Sequence, residues 1–194
     1  NGDIKCQHGS GSIACDVENK TTGTLSGGTT YQANIDNAGL VAIGRTEALD
    51  TLSVAGDFTQ QSTGTLQANA DFLALHASHL VVKGDTQLGG QVSVVPLALL
   101  PGREVSVATL EGGIQGTPVA YDSPVVDYDA SLQGNQVHMR VASADFAPPS
   151  MNLADNQGAV AAHVQSTWNQ DGGSTDLAQL YAALDMASRG GAEN

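Results

Sequence analysis

Short segments in the first half of the chain alternate apolar and polar residues, and turn-forming residues separate these segments. Residues 52–54 read Leu-Ser-Val and residues 92–94 read Val-Ser-Val, while Gly, Asn, Asp, Ser and Thr cluster between such segments. Strict alternation is typical of strands with one buried face, and the intervening residues are those that turns prefer. No helical periodicity occurs between residues 21 and 96. This part of the chain is therefore predicted to consist of short strands joined by turns.

An internal repeat indicates how these strands are arranged. Residues 52–57 (Leu-Ser-Val-Ala-Gly-Asp) match residues 80–85 (Leu-Val-Val-Lys-Gly-Asp) at an offset of 28 positions, from 52 to 80. Repeats of this length are typical of solenoids, in which each coil buries its apolar face against the next coil. The leucine-rich and helical signatures of other solenoids are missing. We therefore predict an all-β fold, a right-handed parallel β-helix (a single-stranded solenoid), with its coils in residues 1–100.

The pattern changes after residue 100, where longer alternating strands are predicted at residues 105–110, 126–132 and 137–141. A Gly-Asn pair at residues 134–135 lies between the last two, which favours an antiparallel hairpin. The open end of a solenoid is a set of exposed strand edges that needs a cap. Residues 101–148 are therefore predicted to form a capping β region. Across both regions, the apolar positions expected in the folding core are Leu66, Leu80, Val82, Val92, Val94, Leu99, Leu110, Tyr128 and Leu132.

Two helices are predicted in residues 149–194, after Pro148 and Pro149 break the strand pattern. The expected N-cap of the first helix is Asn152 or Asp155. Its apolar residues recur at helical spacing and are Val160, Val164 and Trp168. The second helix is expected to be capped within residues 174–176 and to stop at the glycine pair 190–191. Its apolar stripe comprises Leu177, Leu180, Tyr181 and Leu184.

The charge balance excludes several kinds of partner. The chain carries 20 acidic and 7 basic residues, a net charge of −13. Nucleic-acid binding needs a basic surface to neutralise phosphates, and anionic membrane surfaces repel an acidic chain. The longest apolar run, residues 94–100, is far shorter than the roughly 20 residues that span a bilayer. We expect no nucleic-acid partner and no direct membrane insertion. Acidity suits solubility outside the cell, and a specific cationic partner is the alternative.

Two cysteines lie close together near the N-terminus. In an exported protein, Cys6 and Cys15 are expected to form a disulfide that closes a small loop over residues 6–15. Free thiols are one alternative. A metal site that also uses His8 is another, although it lacks a fourth ligand and the usual zinc spacing.

Few other residues indicate chemistry. Asp57 and Asp85 hold equivalent positions in the repeat, so their carboxylates could serve a glycan-cleaving enzyme or bind calcium. An Asp that follows Gly is also an ordinary turn residue, which is the interpretation we favour. His76 and His79 lack the helical context of a metal pair. Serine-hydrolase, phosphate-loop and zinc-protease motifs are missing. We therefore assign no catalytic residue, metal or cofactor, and we do not expect an enzyme.

Taken in order, several stretches resemble the autotransporters, which are the type V secretion proteins of Gram-negative bacteria. Residues 80–102 look like the end of an autotransporter passenger, and residues 111–146 are similar to the autochaperone region of that family. Residues 156–165, 168–169 and 181–185 are similar to the segments that precede its membrane barrel. The resemblance covers residues 50–188 and rests on the order of these stretches more than on any one of them.

The resemblance implies a role, a partner and a location. An autotransporter passenger crosses the outer membrane with its C-terminus first, and its C-terminal stem is thought to fold first and to template the remaining coils. The expected location is the cell surface or the medium, and the expected partner is the protein's own outer-membrane β-barrel. Residues 149–194 would link the stem to that barrel, and the barrel and any export signal are expected to lie outside this sequence. The alternatives are an adhesin that binds host or sister cells and a β-helix hydrolase or lyase.

Overall fold

Strands form nearly half of the part of the chain that the computed structural model describes, which is residues 3–9, 12–26, 30–45, 48–151, 153–170 and 172–191. For residues 3–9, 12–15, 150 and 191, only the backbone is described. The strands are β1 (Asp3–Gly9), β2 (Ser12–Asn19), β3 (Thr24–Ser26), β4 (Thr30–Tyr31), β5 (Ala33–Asn37), β6 (Leu40–Ile43), β7 (Thr51–Val54), β8 (Phe58–Gln60), β9 (Thr65–Asp71), β10 (His76–Ala77), β11 (His79–Val82), β12 (Thr86–Leu88), β13 (Gln91–Ala98), β14 (Glu104–Leu110), β15 (Ile114–Gly116), β16 (Val126–Gln133) and β17 (Gln136–Ala144).

The chain visits three sheets in turn, and each pass stacks on the previous one. Sheet 1 has the order β1-β2-β5-β8-β12-β15, and sheet 3 has the order β4-β7-β11-β14-β17-β16. Sheet 2 contains β3, β6, β9 and β13, with the short strand β10 also paired to β9. Successive coils pair in parallel, whereas β1, β10, β16 and β17 pair antiparallel. The protein is a parallel β-solenoid, so the predicted fold class is confirmed.

The sequence repeat corresponds to the register between coils. Leu52 lies opposite Leu80 and Val54 lies opposite Val82 in the parallel pairing of β7 with β11. One coil later, Leu80 lies opposite Ala108 and Val82 lies opposite Leu110. The offset of 28 residues therefore stacks like positions in sheet 3, and each coil buries its apolar residues against the next.

The core is a column of aliphatic side chains inside the coils that continues under the capping hairpin. Eight of the nine expected core residues are buried: Leu66, Leu80, Val82, Val92, Val94, Leu99, Leu110 and Tyr128. Leu132 is only half-buried and packs against the edge of the core. It lies next to the hairpin turn on the outer strand β16, opposite Val137 of β17.

The helices at the C-terminus pack against the solenoid. Helix α1 spans Asp155–Trp168, and helix α2 spans Ala178–Gly191 after a 3₁₀ turn at Thr175–Leu177. Phe146, Trp168 and Tyr181 form an aromatic cluster whose ring centroids are 5.0–5.5 Å apart. Among the described residues, no helix is both long and apolar enough to cross a membrane.

Two details of the predicted helices differ from the structure. The N-cap of α1 is Ala154, whose N–H donates to the Gln157 Oε1 at 3.0 Å, so Asp155 is the first helical residue and Asn152 lies outside the described residues. In α2, Leu180 is 44% exposed, and the residues buried beside Tyr181 are Ala178 and Ala182. At its first turn, the α2 backbone comes too close to sheet 2 for large side chains on that face, since the Ala178 carbonyl accepts a hydrogen bond from the Leu99 N–H at 2.9 Å.

Candidate functional site

The C-terminal end of the solenoid closes each of its three sheets in a different way. An unpaired strand edge is a row of N–H and C=O groups that invites association with other strands. In sheet 3, the hairpin β16–β17 covers the edge, because β17 pairs antiparallel with β14 and places Met139 opposite Val105. Its turn begins at Gly134 with φ +62°, as the first central residue of a two-residue hairpin turn requires. This confirms the predicted hairpin.

In sheet 2, three groups cover the edge of β13. The Val92 N–H donates to the Val119 carbonyl at 2.7 Å, and the Val92 carbonyl accepts from the Tyr121 N–H at 2.8 Å. Two residues further on, the Val94 carbonyl accepts a hydrogen bond from the Arg189 Nη1 at 2.8 Å. Every second residue of a strand directs its backbone groups to the same edge, and the next such residue of β13 is Pro96, which has no N–H to expose. One loop and one helix side chain thus bond part of the edge of β13, and a proline removes a further donor from it.

In sheet 1, the last strand is short. Strand β15 has three residues and ends at Gly116, whose φ is +84°. Short edge strands offer few backbone groups to another chain. All three sheets thus end in an arrangement that limits further pairing.

A buried polar cluster joins α2 to this closed end, and we call Tyr128, Asp185, Arg189 and the Val94 carbonyl the clasp. Arg189 Nη2 lies 2.7 Å from Asp185 Oδ2, and Tyr128 donates its hydroxyl to the same oxygen at 3.2 Å. The Asp185 side chain is fully buried and that of Arg189 is 13% exposed. Each member of the clasp belongs to a different element or a different turn of α2, so the cluster ties β13, β16 and α2 together.

The protonation state of Tyr128 follows from its surroundings. Burial raises the pKa of the Tyr128 hydroxyl well above its usual range, and the negative charge of Asp185 raises it further. Arg189 opposes this shift, with its guanidinium 5.9 Å from the Tyr128 ring centroid. The hydroxyl therefore stays protonated and donates to Asp185 throughout the physiological range.

The two aspartates of the repeat act between coils. Asp57 Oδ1 accepts a hydrogen bond from the Asp85 N–H, and Asp85 Oδ1 accepts one from the Gly113 N–H, both at 2.8 Å. In the preceding coil Asn34 Oδ1 plays the same part toward the Asp57 N–H, also at 2.8 Å. These side chains form an acceptor ladder along the turns between sheets 3 and 1.

The histidines and cysteines considered as metal ligands lie in four different strands. His79 lies in β11 with its Nε2 2.8 Å from the Thr109 Oγ1, while His76 lies in the edge strand β10. Within the described ranges, no group of three or more His, Cys, Asp or Glu residues could hold a metal ion. Cys6 and Cys15 are opposite each other in the backbone register of β1 and β2. Their side chains lie outside the described residues, so the disulfide stays a prediction.

Three grooves lie on the described surface, and one of about 760 Å³ lies between sheet 2 and α2, with Gln67, Asn69, Pro96 and Met186 among its lining residues. A second is apolar, has a volume of about 310 Å³ and lies between α1 and α2, with Phe146, Val160, Val164 and Leu184 among its lining residues. The third, of about 480 Å³, follows the outer face of sheet 1. Its acidic side chains are Asp16, Glu18, Asp36 and Asp57.

Sequence reasoning missed the clasp. The available signal was the spacing of Asp185 and Arg189, which puts an acid and a base four residues apart on one face of a helix. That spacing is common on exposed helices, and nothing local indicates that this pair is buried. No protein-family model, no curated protein and no solved structure matches the chain in comparisons with known proteins.

Proposed function

We propose that the chain is the C-terminal stem of an autotransporter passenger, and that its closed end starts the folding of the solenoid outside the outer membrane. The observation that carries this proposal is the asymmetry of the two ends. The C-terminal end carries the capping hairpin and the docked helices. At the other end, sheet 1 also finishes in an antiparallel hairpin, β1–β2, whereas among the described residues β3 and β4 of sheets 2 and 3 have a neighbouring strand on one side only.

Physical reasoning supports folding that starts at the closed end. The first unit of a cooperative repeat costs the most free energy to form, because its residues become ordered without a neighbouring unit to pack on. Later units add to a preformed edge. A β-hairpin joins residues that are close in sequence, so it forms quickly and at a low entropic cost. The hairpin β16–β17 is directly bonded to the last coil through β14. Coils could then add one by one toward β3 and β4.

In this proposal the chain lies on the surface of a Gram-negative bacterium or is released from it. Its partner is the outer-membrane barrel of the same protein, and it has no catalytic role. Because no energy source such as ATP is present outside the outer membrane, folding would also drive export. A folded stem cannot slide back through the membrane. Each coil that adds to the stem would bias the movement outward.

The experiment is surface display of the complete autotransporter with single substitutions in the hairpin. Met139 in strand β17 of the hairpin is fully buried, and Ala142 on the same strand is exposed. Met139→Asp should reduce the displayed fraction strongly, because a carboxylate cannot be buried there without a partner. The matched control Ala142→Asp introduces the same charge on the outer side and should leave display unchanged. Normal display of the Met139 variant would contradict the proposed function.

An adhesin is the second candidate, and the acidic groove on sheet 1 favours it. Four carboxylates line one shallow groove, an arrangement that suits a cationic ligand at the cell surface. Binding of the purified chain to host or sister cells should then be weakened by Asp36→Asn and by added salt. No binding by the unaltered chain would remove this candidate for the segment.

A further inference from the structure

The clasp connects residues that are far apart in the chain. Arg189 reaches the Val94 carbonyl, 95 positions earlier, and Tyr128 reaches Asp185 over 57 positions. Contacts of this kind close long loops, whereas the hairpin β16–β17 closes across residues 134–135. Long loops cost more entropy to close, so their contacts tend to form after local ones.

The chemistry of the clasp also delays its formation. Asp185 and Arg189 leave water together when α2 docks, and desolvation of two charges is offset only by the hydrogen bonds to Tyr128 and the Val94 carbonyl and by the bond between the two charges. Even in the docked state, Asp185 Oδ1 and Arg189 Nε are buried without a hydrogen-bond partner among the described residues, so the loss of any one of these bonds is not compensated elsewhere. A partly docked helix therefore loses hydration without the compensating bonds. Docking of α2 becomes favourable only against a surface that is already formed by β13 and β16.

We propose that Asp185 and Arg189 form a kinetic clasp, which closes after the rate-limiting step of folding and then slows the unfolding of the solenoid. Solenoids lose structure from their ends, because an end unit has a neighbour on one side only. Sheet 2 cannot open at its C-terminal end while Arg189 holds the Val94 carbonyl. An interaction that is absent from the transition state lowers the unfolding rate and leaves the folding rate unchanged.

The clasp complements folding initiation and does not depend on it. The hairpin sets how fast the solenoid forms, and the clasp sets how long the folded solenoid lasts. Persistence matters for a chain exposed to proteases, since cleavage that outpaces reclosing is governed by the unfolding rate. The clasp would act in the same way whether or not the chain is exported.

The test measures refolding and unfolding rates of the full chain after jumps in guanidinium concentration. The variants are Arg189→Ala, Arg189→Lys and, as a control on the exposed side of α2, Leu180→Ala. The Arg189→Ala variant should unfold roughly 100-fold faster, because removal of one partner leaves a buried charge unpaired. Its refolding rate should stay unchanged. Lysine keeps the charge but lacks the planar fork that binds Asp185 and the Val94 carbonyl together, so its effect should be intermediate.

A slower refolding rate with an unchanged unfolding rate in the Arg189→Ala variant would overturn the proposal, as would two unchanged rates. If that variant does not fold, Tyr128→Phe decides the matter, because it removes only the hydroxyl bonded to Asp185. It should accelerate unfolding and leave refolding unchanged, and the reverse result would overturn the proposal. A Met139→Ala variant separates the two proposals, since folding initiation predicts slower refolding there. Failure of that result would leave the clasp intact.

Discussion

Asp57 accepts a hydrogen bond from the backbone N–H of Asp85 at 2.8 Å, and the two residues are 28 positions apart. Asp85 in turn accepts from the Gly113 N–H at the same distance. The carboxylate of each turn thus satisfies a backbone donor of the next coil. Gly84 belongs to the same contact, because a Cβ there would lie 2.3 Å from Asp57 Oδ1. The Gly-Asp pair of the repeat is therefore a device for stacking turns.

The ladder predicts that Asp57→Ala lowers the free energy of unfolding by about 1 kcal/mol, the usual net contribution of such a hydrogen bond. Asp57→Asn should have a much smaller effect, because Asn34 already performs this task with an amide oxygen. Equilibrium unfolding in guanidinium checks both values. Equal losses in the two variants would show that charge, and not the hydrogen bond, is what the turn needs.

A second ladder of side-chain hydrogen bonds joins buried residues of sheet 1, and we expect its loss to destabilise the fold more than the loss of Asp57. Asn37 is fully buried and accepts from the Asn19 Nδ2 at 2.7 Å and from the Gly39 N–H at 3.2 Å. Asn37→Ala should cost about 2 kcal/mol, because it leaves buried donors unsatisfied. The control Gln87→Ala, on the outer face, should stay within about 0.5 kcal/mol of the unaltered chain. A loss at residue 37 no larger than the loss at residue 87 would contradict the buried ladder.

The raised pKa of Tyr128 predicts how stability changes at alkaline pH. The unfolded chain releases this proton near pH 10, but the folded chain retains it to higher pH. The contribution of Tyr128 is thus fully present below about pH 10 and is lost above it, by up to about 1.4 kcal/mol per pH unit. In unfolding measurements from about pH 8 to pH 11, Tyr128→Phe should lack this part of the decline. Parallel curves for the two proteins would contradict the shift.

The hairpin offers a comparison between a fully and a partly buried side chain. Met139→Ala should cost about 3 kcal/mol, because Met139 is fully buried and its truncation leaves a cavity. Leu132→Ala should cost about 1 kcal/mol, since Leu132 is half-buried and water can fill the space. Unfolding of the full chain in guanidinium measures both. A larger loss at Leu132 would mean that the end of the hairpin is more closely packed than its exposure indicates.

Much of the solenoid could be predicted from the sequence because its long-range contacts follow the repeat. Leu52 and Leu80 occupy equivalent positions in the pattern and are opposite each other in the sheet, so similarity along the chain implies contact in space. The hairpin was equally accessible, because a turn signal between two alternating strands is local. Leu132 packs against the edge of the core and is only half-buried, which the pattern could not show because alternation indicates the face of a strand but not how far the core extends beneath it.

The helices and the clasp could not be predicted in the same way. The orientation of α2 depends on how closely its backbone approaches sheet 2, and this approach favours Ala178 and Ala182 over Leu180. The Arg189–Val94 contact joins elements that share no repeat and no turn. Spacing alone marked Asp185 and Arg189 as a helical pair, but burial of that pair depends on the position of β16.

Equilibrium unfolding in guanidinium, followed by far-UV circular dichroism, tests folding initiation most directly when the full chain is compared with residues 1–100. The shortened chain retains the coils up to the end of β13 but lacks β14, β15, the hairpin and both helices. The account predicts a cooperative transition for the full chain and an unfolded baseline without a transition for residues 1–100. A shortened chain that unfolds cooperatively at the same guanidinium concentration as the full chain would contradict the account.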